Sequence, residues 1–395
     1  MPRYMKPNRA ERLERFLSVV IQWRGSEKIW SRPTRMLVWL LKQLSRLYGF
    51  VIRIRLFLYE NGIIRPHTLG CQVISVGNLT VGGTGKTPVV EIFARELQSQ
   101  GRKVAILSRG YKKSEADFPR RFVDKLLFRE RFTPPRVVSD GNQLLLDSAM
   151  SGDEPYMLAS NLRDVVVLVD KDRVKSGRYA INKLGCDTLI LDDGFQYLAL
   201  KHRVDILLVD RTNPFGNEYM LPRGVLREPV KSVRKAHFIF ITKSDETGAT
   251  ELKARLRELN KTAEIIECRH CPRYLRNVFT AERKELEFLK GLKVVALSGI
   301  AAPAGFEGEL ERRGATIVER SRFEDHHRYD QQEIIDIINA SRQMEADAIV
   351  TTEKDAVRFP DLRRWDVPVY FLRVDIEILS GQEDFRHCIS RICFR

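Results

Sequence analysis

Residues 75–88, with the sequence SVGNLTVGGTGKTP, carry the clearest chemistry in the chain. Glycines let successive backbone N–H groups turn toward an anion without a Cβ in the way, and the lysine that follows places a positive charge beside the β- and γ-phosphates of a nucleotide. The hydroxyl after the lysine can ligate Mg²⁺. We therefore predict a P-loop whose nucleotide-binding residues are Gly82, Gly83, Thr84, Gly85, Lys86 and Thr87.

This segment departs from the strict P-loop pattern, because Thr80 stands where the first glycine is expected. The alternative is a glycine-rich turn without a ligand. An apolar run precedes the loop, however, and Pro88 suits the first turn of a helix after it. A strand before the loop and a helix after it favour the phosphate site, since helix N-termini attract anions.

Paired carboxylates, Asp192 and Asp193, end the apolar run at residues 188–191. Ligands of open parallel sheets lie beyond the carboxyl ends of the strands. Carboxylates placed there can reach Mg²⁺ directly or through water. We predict that Thr87, Asp192 and Asp193 bind the metal, and the alternative is an Asp-Asp-Gly turn with a structural role only.

Two further segments contain acid–base groups. Asp153, in the sequence GDEP, precedes a predicted helix. It either caps that helix or accepts the proton of an attacking hydroxyl, and the sequence does not decide between these roles. His326, in Asp325-His326-His327, lies after a predicted strand. Adjacent histidines indicate metal binding or acid–base chemistry, with exposed loop residues as the alternative.

The elements that would position these groups alternate between short β-branched strands and helical stretches. This pattern is typical of a mostly parallel sheet with helices on both faces. We predict an α/β protein with a P-loop NTPase-like sheet, a smaller C-terminal α/β domain and an N-terminal amphipathic helix. The predicted strands are 72–76, 104–107, 165–169, 188–191, 205–209, 238–242, 294–298, 316–319, 348–351 and 367–374.

The length of 395 residues allows two domains with sizeable cores. A composition of 43% apolar and 30% charged residues argues against extensive disorder. Residues around 260–292 are more polar than their surroundings. We therefore predict an N-terminal helical segment at residues 1–70, a P-loop domain at 71–268 and a C-terminal α/β domain at 269–395.

The basic residues are concentrated near the N-terminus. The formal net charge is +15, and residues 1–70 hold fourteen Lys or Arg against four Asp or Glu. Such an excess suggests an anionic partner, either nucleic acid or an anionic membrane surface. Ser31 and Pro33 predict the start of a helix and Asn61-Gly62 predict its end, with a bend or break at Gly49.

The predicted N-terminal helix has one basic stripe. Arg35, Lys42, Arg46 and Arg53 fall within about 40° of one another, and the rest of the circumference is largely apolar. Its longest charge-free runs have six residues, too few to span a membrane. We predict a helix lying in a membrane interface, with packing on the protein's own core as the alternative. A nucleic-acid-binding ATPase would favour basic residues interleaved with exposed aromatic residues, so we predict no nucleic-acid partner.

The six cysteines are sparse, and the N-terminus lacks the pattern of a secretory leader. We therefore predict a cytosolic protein with free thiols. The alternative is a zinc site in which Cys268 and Cys271 join Cys388 and Cys393. No second CxxC motif supports that site.

Nine segments of the chain match one family in order and spacing. They are SVGNLTVGGTGKTP at 75–88, LSRGYKK at 107–113, VSDG at 138–141, GDEP at 152–155, DDGFQ at 192–196, LPRGVLREP at 221–229, SGIAAP at 298–303, FEDHHRY at 323–329 and TTEKDAVR at 351–358. Together they resemble the tetraacyldisaccharide 4′-kinases, the lipid A 4′-kinases of Gram-negative bacteria. The N-terminal helix also resembles the membrane-docking element of that family.

The resemblance implies ATP as the phosphoryl donor, with Mg²⁺. It implies the 4′-hydroxyl of a tetraacylated glucosamine disaccharide 1-phosphate as the acceptor. It further implies an active site in the cleft between two α/β domains, and peripheral docking on the cytoplasmic face of the bacterial inner membrane. Asp153 matches the catalytic base of the family, and His326 matches its partner from the second domain.

The same resemblance covers the remaining candidate residues. Those that match positions for the phosphates, for the metal or for the lining of the site are Lys86, Thr87, Asp192, Asp193, Glu228, Gln196 and Tyr111. Three positions depart from the family pattern, so no role is assigned to them: Tyr197 replaces an expected His, and Arg223 and Val225 replace Ala and Pro.

A P-loop nucleotide switch is a further alternative. Guanine-binding proteins of this kind usually carry an Asn-Lys-x-Asp motif. The nearest segment here is TKSD at residues 242–245, which lacks the Asn.

Overall fold

The computed structural model describes residues 30–110, 133–360 and 366–393, together with Phe16, residues 19–21, Trp23 and Gly25. The helices of these ranges are α1 (Arg32–Glu60), α2 (Lys86–Ser99), α3 (Ser148–Ser151), α4 (Asp153–Asn161), α5 (Arg173–Leu184), α6 (Thr250–Leu259), α7 (Pro303–Arg312), α8 (Gln331–Gln343), α9 (Glu353–Ala356) and α10 (Gln382–Cys393). The strands are β1 (Gln72–Asn78), β2 (Val104–Ser108), β3 (Arg136–Asp140), β4 (Val166–Val169), β5 (Thr188–Asp192), β6 (Val204–Asp210), β7 (Phe238–Thr242), β8 (Glu264–Asn277), β9 (Arg283–Lys284), β10 (Lys293–Ser298), β11 (Thr316–Arg322), β12 (Ala348–Thr352) and β13 (Val369–Ser380).

These elements form two compact units, each built from separate stretches of the chain. The first unit comprises the described parts of residues 1–86, 193–268 and 378–394. The second comprises the described parts of residues 87–192 and 269–377. The domain boundaries predicted from the sequence stay predictions.

In the first unit, four strands pair in parallel in the order β8-β7-β6-β1. Strands β1, β6 and β7 are buried along most of their length, in keeping with their continuous apolar runs. The core beneath them includes Leu79, Phe195 and Leu207. The turn after Asp193 packs on β1, because the Gly194 N–H donates to the Val76 carbonyl at 2.9 Å.

The second unit contains two sets of paired strands. In one set, β5, β2 and β4 are parallel and β3 is antiparallel to β4. In the other, β11, β10, β12 and β13 are all parallel. A core that includes Val294, Leu310 and Val350 lies against the second set.

The prediction of a mostly parallel α/β fold with an N-terminal amphipathic helix is confirmed. All ten predicted strands are present, with ends that differ by up to six residues. The sequence did not predict β3, β8 or β9. The 14-residue strand β8 was missed because its continuous buried run covers only Ile265 to Cys268, and the residues after it include Arg269, His270 and Arg273.

Helix α1 begins after Ser31 and ends before Asn61, as predicted, and it continues through Gly49 without a break. Gly49 instead allows close contact with the body of the first unit, since a Cβ there would lie 3.2 Å from Met220 Sδ. Only Val38, Ser45 and Gly49 of this helix are buried. The alternative in which its apolar face packs on the protein's own core is therefore wrong for most of that face.

The apolar surface that α1 leaves open is extensive. Its exposed large apolar side chains are Met36, Trp39, Leu40, Leu44, Leu47, Phe50, Val51, Ile54 and Phe57, and Leu47 is 61% exposed. Within the described ranges, no helix is long and apolar enough to cross a membrane.

Gly77 of β1 gives a test of the packing behind the P-loop. A Cβ at this position would lie 2.8 Å from Phe195 Cβ and 2.9 Å from its backbone N. We expect Gly77→Ala to lower the free energy of unfolding by about 1–3 kcal/mol, the usual cost of overpacking, measured by urea denaturation. The control is Gly305→Ala in α7, where no atom lies within 4 Å of a new Cβ. Equal stability of the two variants would contradict the expectation.

Candidate active site

The P-loop follows β1 directly and leads into α2. Gly82 and Gly85 have φ values of 122° and 76°, a region that glycine adopts without strain. Thr80 pairs with Leu226 in an antiparallel bridge, and the Val81 N–H donates to the Val225 carbonyl at 2.8 Å. Because Thr80 has extended backbone in this pairing, no glycine is required there, which explains the departure from the strict pattern.

A group of five side chains in the first unit, which we call the Asp193 cluster, surrounds the end of β1. It consists of Asn78, Lys86, Asp193, Gln196 and Arg227. Lys86 Nζ lies 3.7 Å from Asp193 Oδ1 and 3.5 Å from Asn78 Oδ1. The Arg227 guanidinium binds Asp193 through two hydrogen bonds of 2.7 and 2.9 Å and also donates to Asn78 Oδ1. Two cations therefore flank one carboxylate beside the glycine-rich loop.

Two buried side-chain oxygens near the loop have no hydrogen-bond partner within the part of the chain described: Thr84 Oγ1 and Gln196 Oε1. Gln196 is otherwise fixed, since its Nε2 donates to the Asn78 carbonyl at 2.9 Å. The Thr84 carbonyl accepts from Thr242 Oγ1 at 2.9 Å. Buried polar groups normally have partners, so these two oxygens fit a site whose ligand supplies them.

The predicted metal ligands lie in different surroundings. Asp192 is the last residue of β5, is 4% exposed and accepts from Ser108 Oγ at 3.0 Å. Thr87 is half-buried in the first turn of α2. Glu228 is buried and pairs with Lys235 at 2.6 Å, while Asp193 is held by Arg227. Hydroxyl and carboxylate oxygens are the ligands Mg²⁺ prefers, so the residue types fit this ion.

A second group, the Asp153 cluster, lies in the second unit and consists of Asp153, His326, Arg328, Lys354 and Arg358. Asp153 is the first residue of α4. Its Oδ2 lies 3.3 Å from His326 Nδ1 and accepts from Arg358 Nε at 2.8 Å. Lys354 Nζ lies 3.4 Å from His326 Nε2. Arg358 Nη2, which can only donate, lies 3.2 Å from His326 Nδ1, so that ring nitrogen faces both a donor and the Asp153 carboxylate, while Nε2 faces the donor Lys354.

Buried contacts hold the Arg358 side chain in place. Its Nη1 donates to the Gly299 carbonyl and to Asp355 Oδ1, both at 3.1 Å. Asp355 is fully buried, and burial raises the pKa of its carboxyl, although Thr352 and Tyr329 also donate to it. A fixed guanidinium of this kind orients the Asp153 carboxylate, since charge-assisted hydrogen bonds are short and strong.

The structure separates two adjacent histidines that residue type alone does not distinguish. His326 contacts Asp153, whereas His327 Nε2 lies 2.9 Å from Glu333 and its ring stacks on Phe323. His326 also has a φ of 66°, and Asp193 has a φ of 57°. Non-glycine residues with positive φ are uncommon and cluster at functional sites.

Arg227 and Arg358 are the functional candidates that the sequence reasoning missed. Both lie within segments that matched the family, LPRGVLREP and TTEKDAVR, but no role was assigned to either. Tyr111, predicted to line the site, lies outside the described residues. Of the positions that depart from the family pattern, Arg223 is buried and donates to the Val20 carbonyl at 3.1 Å. Val225 contributes its backbone carbonyl to the P-loop pairing.

The segment at residues 242–245 is occupied by structural contacts. Lys243 pairs with Asp210 at 2.5 Å, and Ser244 Oγ donates to Glu267 at 2.6 Å. Asp245 pairs with Arg211, and hydrogen bonds from Thr247 and Arg211 lower the pKa of its carboxyl. This geometry does not favour the guanine-switch alternative.

None of the six cysteines, all of which lie in the described ranges, forms a disulfide. Burial raises the pKa of the Cys268 thiol to about 12, and burial also raises that of Cys388. Both side chains are completely buried.

The parallel sheet, the glycine-rich loop and the strand-end carboxylates define a P-loop NTPase-like protein. A family model described as tetraacyldisaccharide-1-P 4′-kinase matches residues 37–393. The chain belongs to this family.

Individual relatives agree with this result. The tetraacyldisaccharide 4′-kinase of Halothermothrix orenii is 34% identical over 98% of this chain and 100% of its own length. That of Anaeromyxobacter dehalogenans is 40% identical over 82% of this chain and 83% of its own length. The solved structure of LpxK from Aquifex aeolicus in complex with ATP has a TM-score of 0.70 and 29% identity, and covers 91% of this chain and 100% of that chain.

Proposed function

We propose that this chain transfers the γ-phosphoryl group of ATP to the 4′-hydroxyl of a tetraacylated glucosamine disaccharide 1-phosphate. The observation that carries the proposal is the Asp193 cluster, in which Lys86 and Arg227 concentrate positive charge at the end of a glycine-rich loop. Phosphoryl transfer depends mainly on positioning and on charge stabilisation. Family membership supplies the acceptor, since the relatives are named for this reaction.

The donor is held by the first cluster. The backbone N–H groups of residues 82–85 and the N-terminus of α2 bind the phosphates, and Lys86 stabilises the charge on their oxygens. Bound with ATP, Mg²⁺ neutralises charge on the β- and γ-phosphate oxygens. Thr87 and Asp192 are the residues that would hold it. Asp193 and Glu228 pair with Arg227 and Lys235, and their negative charge would favour the ion.

The acceptor is activated by the second cluster. Asp153 orients the 4′-hydroxyl, and as the new oxygen–phosphorus bond forms and the bond to the leaving ADP breaks, the hydroxyl proton passes to an Asp153 carboxylate oxygen. His326 and Arg358 fix the orientation of that carboxylate. Gln196 lines the nucleotide site, since its Nε2 donates to the carbonyl of Asn78, whose side chain lies beside Lys86.

The direct test is incubation of the full chain with ATP and Mg²⁺ and either the disaccharide lipid or an oligonucleotide, with radioactive γ-phosphate followed into product. Transfer to the 4′-position of the lipid alone supports the proposal. Transfer to the oligonucleotide, or hydrolysis of ATP with no lipid product, would contradict it.

The chain acts as a peripheral protein at the cytoplasmic face of the bacterial inner membrane, in keeping with its lipid acceptor. The support is the open apolar surface of α1, flanked by basic residues. Lys42, Arg46 and Arg53 line a cavity of about 290 Å³ beside Tyr219 and Met220. A helix with such a surface binds membranes through apolar burial and through attraction to anionic lipid.

Docking through α1 predicts the behaviour of a surface variant. Leu47 and Phe50 are 61% and 58% exposed, so replacing both by Glu should spare the fold. We expect Leu47→Glu/Phe50→Glu to weaken binding to phosphatidylglycerol vesicles at least about tenfold, since apolar burial is lost and negative charge is added. Co-sedimentation measures this, and wild-type binding should fall with salt.

The matched control is Ile335→Glu, an exposed apolar residue of α8. It should bind vesicles as wild type does. Unchanged vesicle binding by the α1 double variant, or equal losses of binding in that variant and in Ile335→Glu, would contradict the docking proposal.

A further inference from the structure

Side chains of α1 that lie outside its open apolar surface contact residues in or beside the Asp193 cluster. Three of them donate to backbone carbonyls of residues in or beside that cluster. Ser45 Oγ donates to Met220 at 2.7 Å, Tyr48 OH to Arg227 at 3.1 Å, and Arg55 Nη2 to Gln196 at 3.0 Å. All three acceptors lie in the first unit, within the turn after Asp193 or the segment that pairs with the P-loop.

Tyr48 is hydrogen-bonded to the backbone of Arg227, a member of the Asp193 cluster at the phosphate site. The Arg227 carbonyl accepts from Tyr48, the Arg227 N–H donates to the Leu79 carbonyl at 2.7 Å, and the Arg227 guanidinium grips Asp193 and Asn78. Burial raises the pKa of the Tyr48 phenol, so it remains a donor at neutral pH. A shift of α1 at Tyr48 therefore moves the backbone that carries this guanidinium.

The contact of Arg55 reaches the cluster from the other side. Gln196, whose carbonyl accepts from Arg55, donates through Nε2 to the Asn78 carbonyl at 2.9 Å. Asn78 in turn lies within 3.5 Å of Lys86 Nζ. Tyr48 and Arg55, seven residues apart on one helix, thus contact the backbone of two different members of the Asp193 cluster, Arg227 and Gln196.

The open surface of α1 is the part of the helix that a membrane would contact. On the side facing the body, Val38, Ser45 and Gly49 are buried and Tyr48 and Ile52 pack on the core of the first unit. Docking would restrict its motion and keep the Tyr48 and Arg55 hydrogen bonds formed. A membrane that stabilises one position of α1 also strengthens the binding of any ligand whose site requires that position.

We propose that α1 is a positioning element for the nucleotide site, so that membrane docking strengthens binding of the ATP phosphates through Tyr48 and Arg55. The proposal rests on the function proposed above and extends it to the control of ATP binding. Coupling between two sites is reciprocal. Bound nucleotide therefore strengthens vesicle binding by the same factor.

The test measures two affinities of the full chain. The dissociation constant of a non-hydrolysable ATP analogue with Mg²⁺ is determined with and without phosphatidylglycerol vesicles that lack the acceptor lipid. Vesicle binding is determined with and without the analogue. We expect both affinities of the wild type to rise about fivefold or more, the lower range for coupled sites.

Tyr48→Phe removes one hydroxyl. In this variant, vesicles should no longer raise the affinity for the analogue, and the analogue should no longer raise the affinity for vesicles. Vesicle binding without nucleotide should stay at the wild-type level. The matched control is Tyr59→Phe on the same helix, since the Tyr59 side chain makes no hydrogen bond within the described ranges. The control should keep the full coupling. Arg55→Lys, which retains the charge, should behave like Tyr48→Phe.

Three results would overturn the inference: an analogue affinity in the wild type that vesicles leave unchanged, equal coupling in Tyr48→Phe and Tyr59→Phe, or no vesicle binding at all. Phosphoryl transfer to detergent-dispersed disaccharide lipid is measured in the same preparations. Transfer without coupling means that the inference fails and the proposed function stands. If vesicles and the analogue strengthen each other's binding but no phosphoryl group is transferred, α1 is a positioning element for ATP binding and the proposed lipid acceptor is wrong.

Discussion

Replacing Lys86 by Ala should lower kcat/KM for phosphoryl transfer at least about 100-fold, the lower range for removal of one preorganised charge contact. The Lys86 side chain is only 16% exposed and lies beside Asn78 and Asp193. Removing it leaves the phosphate oxygens without their nearest compact positive charge. Arg227 remains, but its guanidinium is already engaged by Asp193.

The measurement is steady-state transfer to the lipid acceptor, with thermal unfolding followed in parallel. Lys183→Ala is the matched control, because Lys183 is an exposed lysine in the last turn of α5. That variant should retain wild-type activity. A folded Lys86→Ala protein with activity near wild type would reject the P-loop assignment.

Asp153→Ala and His326→Ala should each lower kcat by about 100-fold or more, as expected when general-base catalysis is removed. Because the two groups act as one unit, the double variant should be little worse than the more damaged single variant. Nucleotide affinity, measured separately by equilibrium binding, should survive in all three proteins. The contact between His326 Nδ1 and Asp153 Oδ2 at 3.3 Å gives this expectation its geometric basis.

His327→Ala provides the control for this cycle, since its imidazole pairs with Glu333 and not with Asp153. It should keep most of the activity. Fully additive losses in Asp153 and His326 would mean that the residues work independently. Loss of ATP affinity in Asp153→Ala would assign that carboxylate to the metal or the nucleotide.

The parts of the site formed by local sequence were predictable. A glycine-rich loop between a strand and a helix places Lys86 and Thr87, and an apolar strand that ends in carboxylates places Asp192 and Asp193. Each depends on neighbours within a few residues, where backbone preferences act. The N-terminal helix was predictable for the same reason, from Ser31 and Asn61 at its ends.

Long-range partners were not predictable in this way. Arg227 reaches Asp193 across 34 residues, and Arg358 reaches Asp153 across 205. Only the folded chain determines such pairs, because each arginine has many carboxylates of equal local suitability. The choice between His326 and His327 likewise depended on backbone conformation at one position.

Strand β8 was missed for a different reason. Its first residues are buried and mostly apolar, and its later residues are mostly half-buried and include several charged side chains, so no single hydrophobic period describes the strand. A search for one repeating pattern therefore does not recognise it as one strand. The same change led the sequence interpretation to place a boundary at residue 268.

The open surface of α1 has a consequence for the partition of the protein between water and lipid. Burying the roughly half of each large apolar side chain that is still exposed should release about 1 kcal/mol per residue. Trp39, Leu47, Phe50, Val51 and Phe57 are each more than half exposed. Together they would contribute about 5 kcal/mol, close to the lower end of the net stability of a whole domain. The free energy available from transferring this helix surface into a bilayer is therefore comparable to the free energy of unfolding of a domain. The surface is left unburied in water, and contact with a bilayer would bury it.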